Sequence, residues 1–183
     1  CREGRGERGE MRGEVSEGWK VVKRVLRHER QSQTSARDSV GAEKQESLQG
    51  AAKRYIGTNE DGTLADADLR LRLADHLMAS QAHELTVNRI RAEAKGNVEV
   101  SAAASILKNS ATDIAQTRAE LAIEFQGSQG LGWEGAHFTD EELASVRSWL
   151  FGKAVSIYGG SYEVQNNIIS KNILGLPETT QKS

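Results

Sequence analysis

Apolar and polar positions recur at helical spacing along most of the chain. Trp19, Val22, Val25 and Leu26 open the pattern and predict a first helix from Ser16 to about Arg54. The second half of that helix, Gln31 to Gln49, is polar, so it packs weakly or faces a partner. Thr58 to Ala65 contains Asn59, Asp61 and Gly62 and reads as a turn. Asp66 is the expected cap of a second helix. That helix has Leu69, Leu73, Leu77, Leu85 and Ile90 on or near one face and ends at Lys95, before Gly96. A third helix is expected from about Glu99 to Phe125. Its stripe is Val100, Ala103, Leu107, Ala111, Ile114, Leu121 and Phe125. Arg118 interrupts the stripe, and a buried arginine there would need an acidic partner.

Gly127, Gly130, Gly132 and Gly135 mark a long loop. Thr139 and Glu142 stand at capping-box spacing for a fourth helix, which carries Leu143, Val146, Trp149 and Leu150 and ends near Tyr158. Gly159-Gly160 breaks the chain before a fifth helix from Ser161 to Leu174, closed by Gly175 and Pro177. The expected fold is all-α: an up-down helical bundle of four main helices plus a short C-terminal helix. No internal repeat is visible.

Composition narrows the picture. Pro177 is the single proline among 183 residues, so nothing interrupts long helices before the end. Residues 1–13 are almost entirely Gly, Arg and Glu and read as a disordered leader or the remnant of an upstream domain. Residues 14–177 form the helical domain, and 178–183 a tail. The net charge of -2, with signs mixed along the chain, argues against nucleic-acid binding. Cys1 is the single cysteine, so no internal disulfide forms and a reducing, cytoplasmic location is the simplest expectation. No apolar run approaches the roughly 20 residues of a membrane span.

Three features carry candidate chemistry. Glu29 lies three, four and seven residues after Leu26, Val25 and Val22, which sets its carboxylate on the apolar face of the first helix. Partial desolvation there would raise its pKa toward the range of a general base. The alternative is that the stripe ends at Leu26 and Glu29 is solvated. The Gly159-Gly160-Ser161 break exposes a helix N-terminus that could hold a phosphate, a carbonyl oxygen or a flavin edge. An ordinary turn with Ser161 as N-cap would look the same. Gln126-Gly127-Ser128-Gln129-Gly130 lets backbone approach a ligand, or simply ends a helix. His28, His76, His83 and His137 lack metal-ligand spacing, although His76 and His83 can share a helical face, and no metal is expected.

The stretch Ile157-Tyr158-Gly159-Gly160-Ser161-Tyr162-Glu163-Val164-Gln165-Asn166-Asn167-Ile168-Ile169, closing with Leu174-Gly175-Leu176-Pro177, resembles the C-terminal signature of acyl-CoA dehydrogenases. Gly13-Glu14-Val15-Ser16-Glu17-Gly18-Trp19 followed by Leu26-Arg27-His28-Glu29-Arg30 is similar to the entry of that family's C-terminal domain. Glu120 to Gly130 sits where the family keeps a Gly-rich flavin loop. The resemblance covers about residues 13 to 177.

It implies α,β-dehydrogenation of an acyl-CoA thioester, in which a glutamate removes the C2 proton while C3 gives a hydride to FAD. Many members carry that glutamate in the final signature, at the position of Gly159 here. Long-chain and isovaleryl-type members carry it on the first helix directly before an arginine, the position of Glu29 and Arg30. The resemblance further implies that Gly159, with Gly160, polarises the thioester carbonyl and that Arg30 helps orient the substrate site. Ser161 and Glu163 match positions that contact the flavin nucleotide. Gly127 and Ser128 match a loop near the pyrophosphate of a neighbouring subunit's FAD. Glu124 replaces a usual glutamine in that loop, an unfavourable charge near a pyrophosphate, and the Arg-x-x-Phe-Gly flavin motif is absent near Lys53 to Gly57. Family members also place a helical domain and a small β-domain ahead of this bundle. The implied partners are acyl-CoA, an electron-transfer flavoprotein and further subunits, in a homo- or hetero-oligomer built through the bundle. A catalytically degenerate oligomerisation scaffold and a related acyl-CoA oxidase or flavin monooxygenase are the alternatives.

Overall fold

The computed structural model describes residues 17–22, 24–25, 46–94 and 103–177. The described residues are all-α, with a single isolated bridge between Thr58 and Leu64. Residues 18–22 and 24–25 are helical, as the first apolar repeat requires. Five α-helices follow among the described residues: α1 Leu48–Ile56, α2 Ala67–Ala94, α3 Ala103–Gln126, α4 Asp140–Gly152 and α5 Tyr162–Asn172. Short 3-10 segments, Gly127–Leu131 and Lys153–Ser156, follow α3 and α4.

The first helix does not run unbroken from Ser16 to Arg54. A fresh helix starts at Leu48, because Ser47 adopts an extended backbone and its Oγ accepts from the Gly50 N–H at 3.0 Å. The polar stretch before it offered no apolar stripe to carry one helix through.

α3 is the central element, and α1, α2, α4 and α5 all pack against it. The core joins Leu48 and Ala52 of α1, Leu73 of α2, and Leu121 and Phe125 of α3. Leu64 completes it from the turn between α1 and α2. That turn is tied by Asp61 Oδ1, which accepts from the Thr63 N–H at 2.9 Å and from its hydroxyl at 2.6 Å. Asp66 caps α2 as expected, accepting from the Leu69 N–H at 2.9 Å. The Thr139–Glu142 capping box forms in full.

Three expectations are corrected by packing. Arg118 is exposed, so the α3 stripe buries around it rather than through it. Leu85 of α2 turns largely to solvent and Leu77 is partly exposed, because α2 is apolar on both faces and α3 covers only one. α4 ends at Gly152 rather than near Tyr158. Gln116 of α3 donates its side-chain amide to the carbonyls of Gly152 and Lys153, 3.3 Å from each, and Lys153 pairs with Glu120. Carbonyls taken by a neighbouring helix no longer serve the α-ladder, and the chain tightens into a 3-10 turn.

Candidate active site

Gly159 and Gly160 both take left-handed backbone conformations, with φ of 67° and 107°. Other residues seldom adopt these, so the dipeptide forms the sharp reversal that α5 needs to fold back on α3. The Gly159 carbonyl accepts from Gln165 Nε2 at 2.5 Å. The Gly160 N–H donates to the Ile157 carbonyl at 3.2 Å, while the Gly159 N–H finds no hydrogen-bond partner among the described residues. A Cβ on Gly160 would lie 2.7 Å from Gln165 Nε2. Gln165 is wholly buried, and its Oε1 has no hydrogen-bond partner among the described residues. The turn is thus held from below by one side-chain amide, with a main-chain donor left on its rim.

Ser161 has N-cap backbone geometry but does not cap α5 with its side chain. Its hydroxyl donates instead to Glu163 Oε2 at 2.6 Å. That bond, with one from the Glu163 backbone N–H, holds the Glu163 carboxyl below the usual carboxylate range. An ionised carboxylate on the first turn also meets the positive end of the helix dipole. Glu163 therefore suits a hydroxyl or amine donor, such as ribose or adenine, and would repel a phosphate.

The turn is fastened to the N-terminal half of α3. The Tyr162 hydroxyl donates to Asp113 Oδ1. Burial and then that bond push the Tyr162 phenol up to about 12. Lys108 donates to the Ser156 carbonyl at 3.2 Å and lies 5.6 Å from the centre of the Tyr162 ring. Burial depresses its pKa. Asn109 and Asn166 bond at 3.0 Å across the same interface.

Gly127 and Ser128 sit at the other end of α3, exposed, with Gly127 at φ 56° and open space beside its Cα. Fourteen residues of α3 and its end separate Asp113 from Gly127. At ~1.5 Å per residue that is roughly 20 Å. One chain therefore does not gather Gly127 and Ser128 with Gly159, Gly160, Ser161 and Glu163 into one cavity. The charge of Glu124 beside this loop is neutralised by Arg72 of α2, whose second nitrogen lies 2.7 Å from Glu124 Oε1. An approaching pyrophosphate would not meet an unpaired carboxylate there. Gly130 and Gly132 serve packing instead. A Cβ on either would lie 2.5 Å from the Ile123 carbonyl or the Phe138 ring.

A cavity of about 220 Å³ opens beside the same end of α3, between α1, α3 and α4. Arg54, Arg118, Glu46 and Glu141 line it, with Gln126, whose buried Oε1 has no hydrogen-bond partner among the described residues. Glu29 and Arg30 lie outside the described residues. His76 and His83 do share the inward side of α2, but both pack against α3; His83 Nδ1 pairs with Ser110 Oγ at 2.8 Å. Among the described residues no three His, Cys, Asp or Glu side chains gather as a metal site. No described helix is long and apolar enough to cross a membrane.

Residues 16–174 match the sequence profile of the acyl-CoA dehydrogenase C-terminal domain. The chain belongs to the acyl-CoA dehydrogenase family. It is 32% identical over 173 residues to acyl-CoA dehydrogenase IpdE1 of Mycolicibacterium smegmatis, covering 94% of this chain and 40% of that protein. It is 30% identical over 169 residues to acyl-CoA dehydrogenase IpdE1 of Mycobacterium tuberculosis, covering 90% of this chain and again 40% of the relative. The chain thus spans about 40% of the length of these curated relatives. Around the acyl-CoA dehydrogenase signature, the supporting roles of Gln165, Tyr162 and Lys108 were not evident from sequence spacing. The available signal was a polar glutamine at i+4 from Ser161, in line with Ile168 and Ile169.

Proposed function

We propose that this chain is the C-terminal domain of an FAD-dependent acyl-CoA dehydrogenase acting on an acyl-CoA thioester by α,β-dehydrogenation. One observation carries the reading. A glycine stands where many members keep the catalytic base, in a turn whose carbonyl is pinned by Gln165 and whose N–H has no partner among the described residues. A turn built this way suits donation to a substrate carbonyl and supplies no base.

The base is then Glu29, with Arg30 beside it. Glu29 takes the C2 proton of the thioester. The Gly159 N–H, next to Gly160, hydrogen-bonds the thioester carbonyl and stabilises the negative charge that develops on its oxygen as the proton leaves. FAD, when bound, supplies the acceptor for the hydride from C3. Ser161 and Glu163 would hold the nucleotide through hydroxyl and amine groups. Gly127 and Ser128 would approach the pyrophosphate of a neighbouring subunit's FAD, which suits their distance from the Gly159 turn. The remaining domains, further subunits of a homo- or hetero-oligomer and an electron-transfer flavoprotein complete the proposed machinery.

The test is acyl-CoA-dependent flavin bleaching in the full-length protein, comparing wild type with Glu29→Gln. With FAD content unchanged, loss of the base should slow bleaching by about 10²–10⁴-fold. A variant that bleaches at the wild-type rate puts the base elsewhere. A second reading, a non-catalytic oligomerisation subunit, is favoured by the missing Arg-x-x-Phe-Gly motif near Lys53 to Gly57. A full-length wild type that retains no FAD would support it.

A further inference from the structure

Arg72, Asp75, His76 and Ala79 stand at i, i+3, i+4 and i+7 on α2, so they share one face. Across from them, Asp113, Ile114 and Thr117 share a face of α3. Between the two banks runs a groove of about 300 Å³. It is separate from the cavity between α1, α3 and α4.

The groove is rich in acceptors that lack a donor. On one bank Asp75 is exposed, and its carboxylate makes no ion pair or hydrogen bond among the described residues. On the other bank Asp113 Oδ1 accepts from the Tyr162 hydroxyl, while Oδ2 has no donor among the described residues. Lys108 attracts Asp113 but donates to the Ser156 carbonyl. Of the groove residues only His76 is buried, at 5% exposure, and its Nδ1 has no hydrogen-bond partner among the described residues. Burial, and then the charge of Arg118, lower the His76 pKa. The imidazole is therefore neutral near pH 7 and keeps a ring nitrogen that accepts. A buried acceptor without a donor is costly. The Arg72 guanidinium on the rim is already taken by Glu124.

These acceptors suit a cation that brings its own N–H donors. Among the described residues no three His, Cys, Asp or Glu side chains are close enough together to hold a bare metal ion. The rest of the lining, Ala79, Ile114 and the Thr117 methyl group, is apolar and suits methylene groups. Carboxylates on both banks call for a positive charge at each end of the ligand. We propose that the α2–α3 groove binds a short aliphatic diamine, one ammonium on Asp75 and the other on Asp113, with the methylene chain lying across Ala79 and Ile114. The ammonium on Asp75 also donates to His76 Nδ1. Packed helix axes lie roughly 8–10 Å apart, a gap that a diamine of putrescine's length spans. Asp113 also moors Tyr162 of α5, so an occupied groove meets the element that follows the Gly159 turn. The inference does not depend on the catalytic reading above.

Calorimetric titration of the full chain with putrescine tests it, with thermal melts to show that each variant is folded. The wild type should bind saturably, and more weakly as salt rises. Asp75→Asn should weaken binding by about tenfold or more in Kd. n-Butylamine, with a single ammonium, should bind about tenfold more weakly than putrescine. The ring-nitrogen resonances of the four histidines give a second readout, with His76→Gln assigning those of His76. Putrescine should move the His76 Nδ1 signal and leave the other histidines in place. Binding that survives Asp75→Asn unchanged, or that leaves the His76 nitrogen unmoved, would put the amine elsewhere and overturn the proposal. Equal affinity for n-butylamine or for Mg²⁺ would reduce the groove to a nonspecific acidic patch and overturn it as well. So would a wild type that shows no saturable binding.

Discussion

Gln165 and Gly159 hold each other in place: the buried side-chain amide donates to the glycine carbonyl at 2.5 Å. The bond orients the peptide that precedes α5, and Gly160 must remain a glycine for the amide to fit beneath it.

Replacing Gln165 with leucine should strip the Gly159 carbonyl of its donor and cost about 1–3 kcal/mol. For a domain of this size each kcal/mol lowers Tm by roughly 2–4 °C. Gly160→Ala should also destabilise, from strained φ and from the contact with Gln165 Nε2. Combining Gly160→Ala with Gln165→Ala should be less than additive, because the second change removes the atom that the new Cβ meets. Thermal unfolding of the two single variants and the double variant measures this. Full additivity would mean that the two residues act independently.

Glu142 ties α4 to α1. It completes the α4 capping box, with Oε2 2.8 Å from the Thr139 N–H, and Oε1 accepts from the Tyr55 hydroxyl at 3.0 Å. The Thr139 N–H, foremost, and the Tyr55 hydroxyl hold its carboxyl below the usual glutamate range against an opposing effect of burial. A carboxylate with a depressed folded pKa contributes stability above its unfolded value of about 4.3. That contribution is lost as pH falls through the folded pKa. Glu142→Gln should therefore cost ~1–2 kcal/mol near neutrality. The gap from wild type should close in acid. Urea unfolding at several pH values checks it, and a gap that stays constant down to the acid limit would count against the assignment.

Tyr162 should ionise late, at about 12. Its raised pKa stabilises the fold below the unfolded value of about 10. That share is lost as pH rises through the folded value. Tyrosinate absorbance should show a late component near pH 12 in the wild type, absent in Tyr162→Phe. If the component persists in the variant, the burial and the Asp113 bond are not what delays it.

Local chemistry made much of the fold legible. Asp66 and the Thr139–Glu142 pair are caps whose partners lie within three residues, so spacing alone revealed them. The Gly159-Gly160 break was readable because few other residues take those backbone angles. The end of α4 was not, since it depends on Gln116, which lies 36 residues before Gly152. Among the site residues, Gly159, Gly160, Ser161 and Glu163 come together in one turn because they are consecutive or nearly so. Gly127 and Ser128 were legible as a loop, but nothing local revealed their distance from that turn. Glu124 read as an unfavourable charge in isolation, whereas its partner Arg72 belongs to another helix. Gly130 looked like a ligand-facing glycine because a glycine packed against a backbone carbonyl and one open to solvent have the same letter.

By itself the sequence determined the helical class, most caps and breaks, and the family signature. Each rests on residues within a turn or two of one another, or on their linear order. Only the tertiary structure decided which face of α2 is buried, where α4 ends, that Arg118 points outward, and that the Gly159 turn hangs on Gln165 while its α5 is moored by Tyr162 and Asp113. Those outcomes depend on which helix lies against which. An apolar stripe states that a face will be covered, but the identity of its cover comes from packing between segments far apart in the chain.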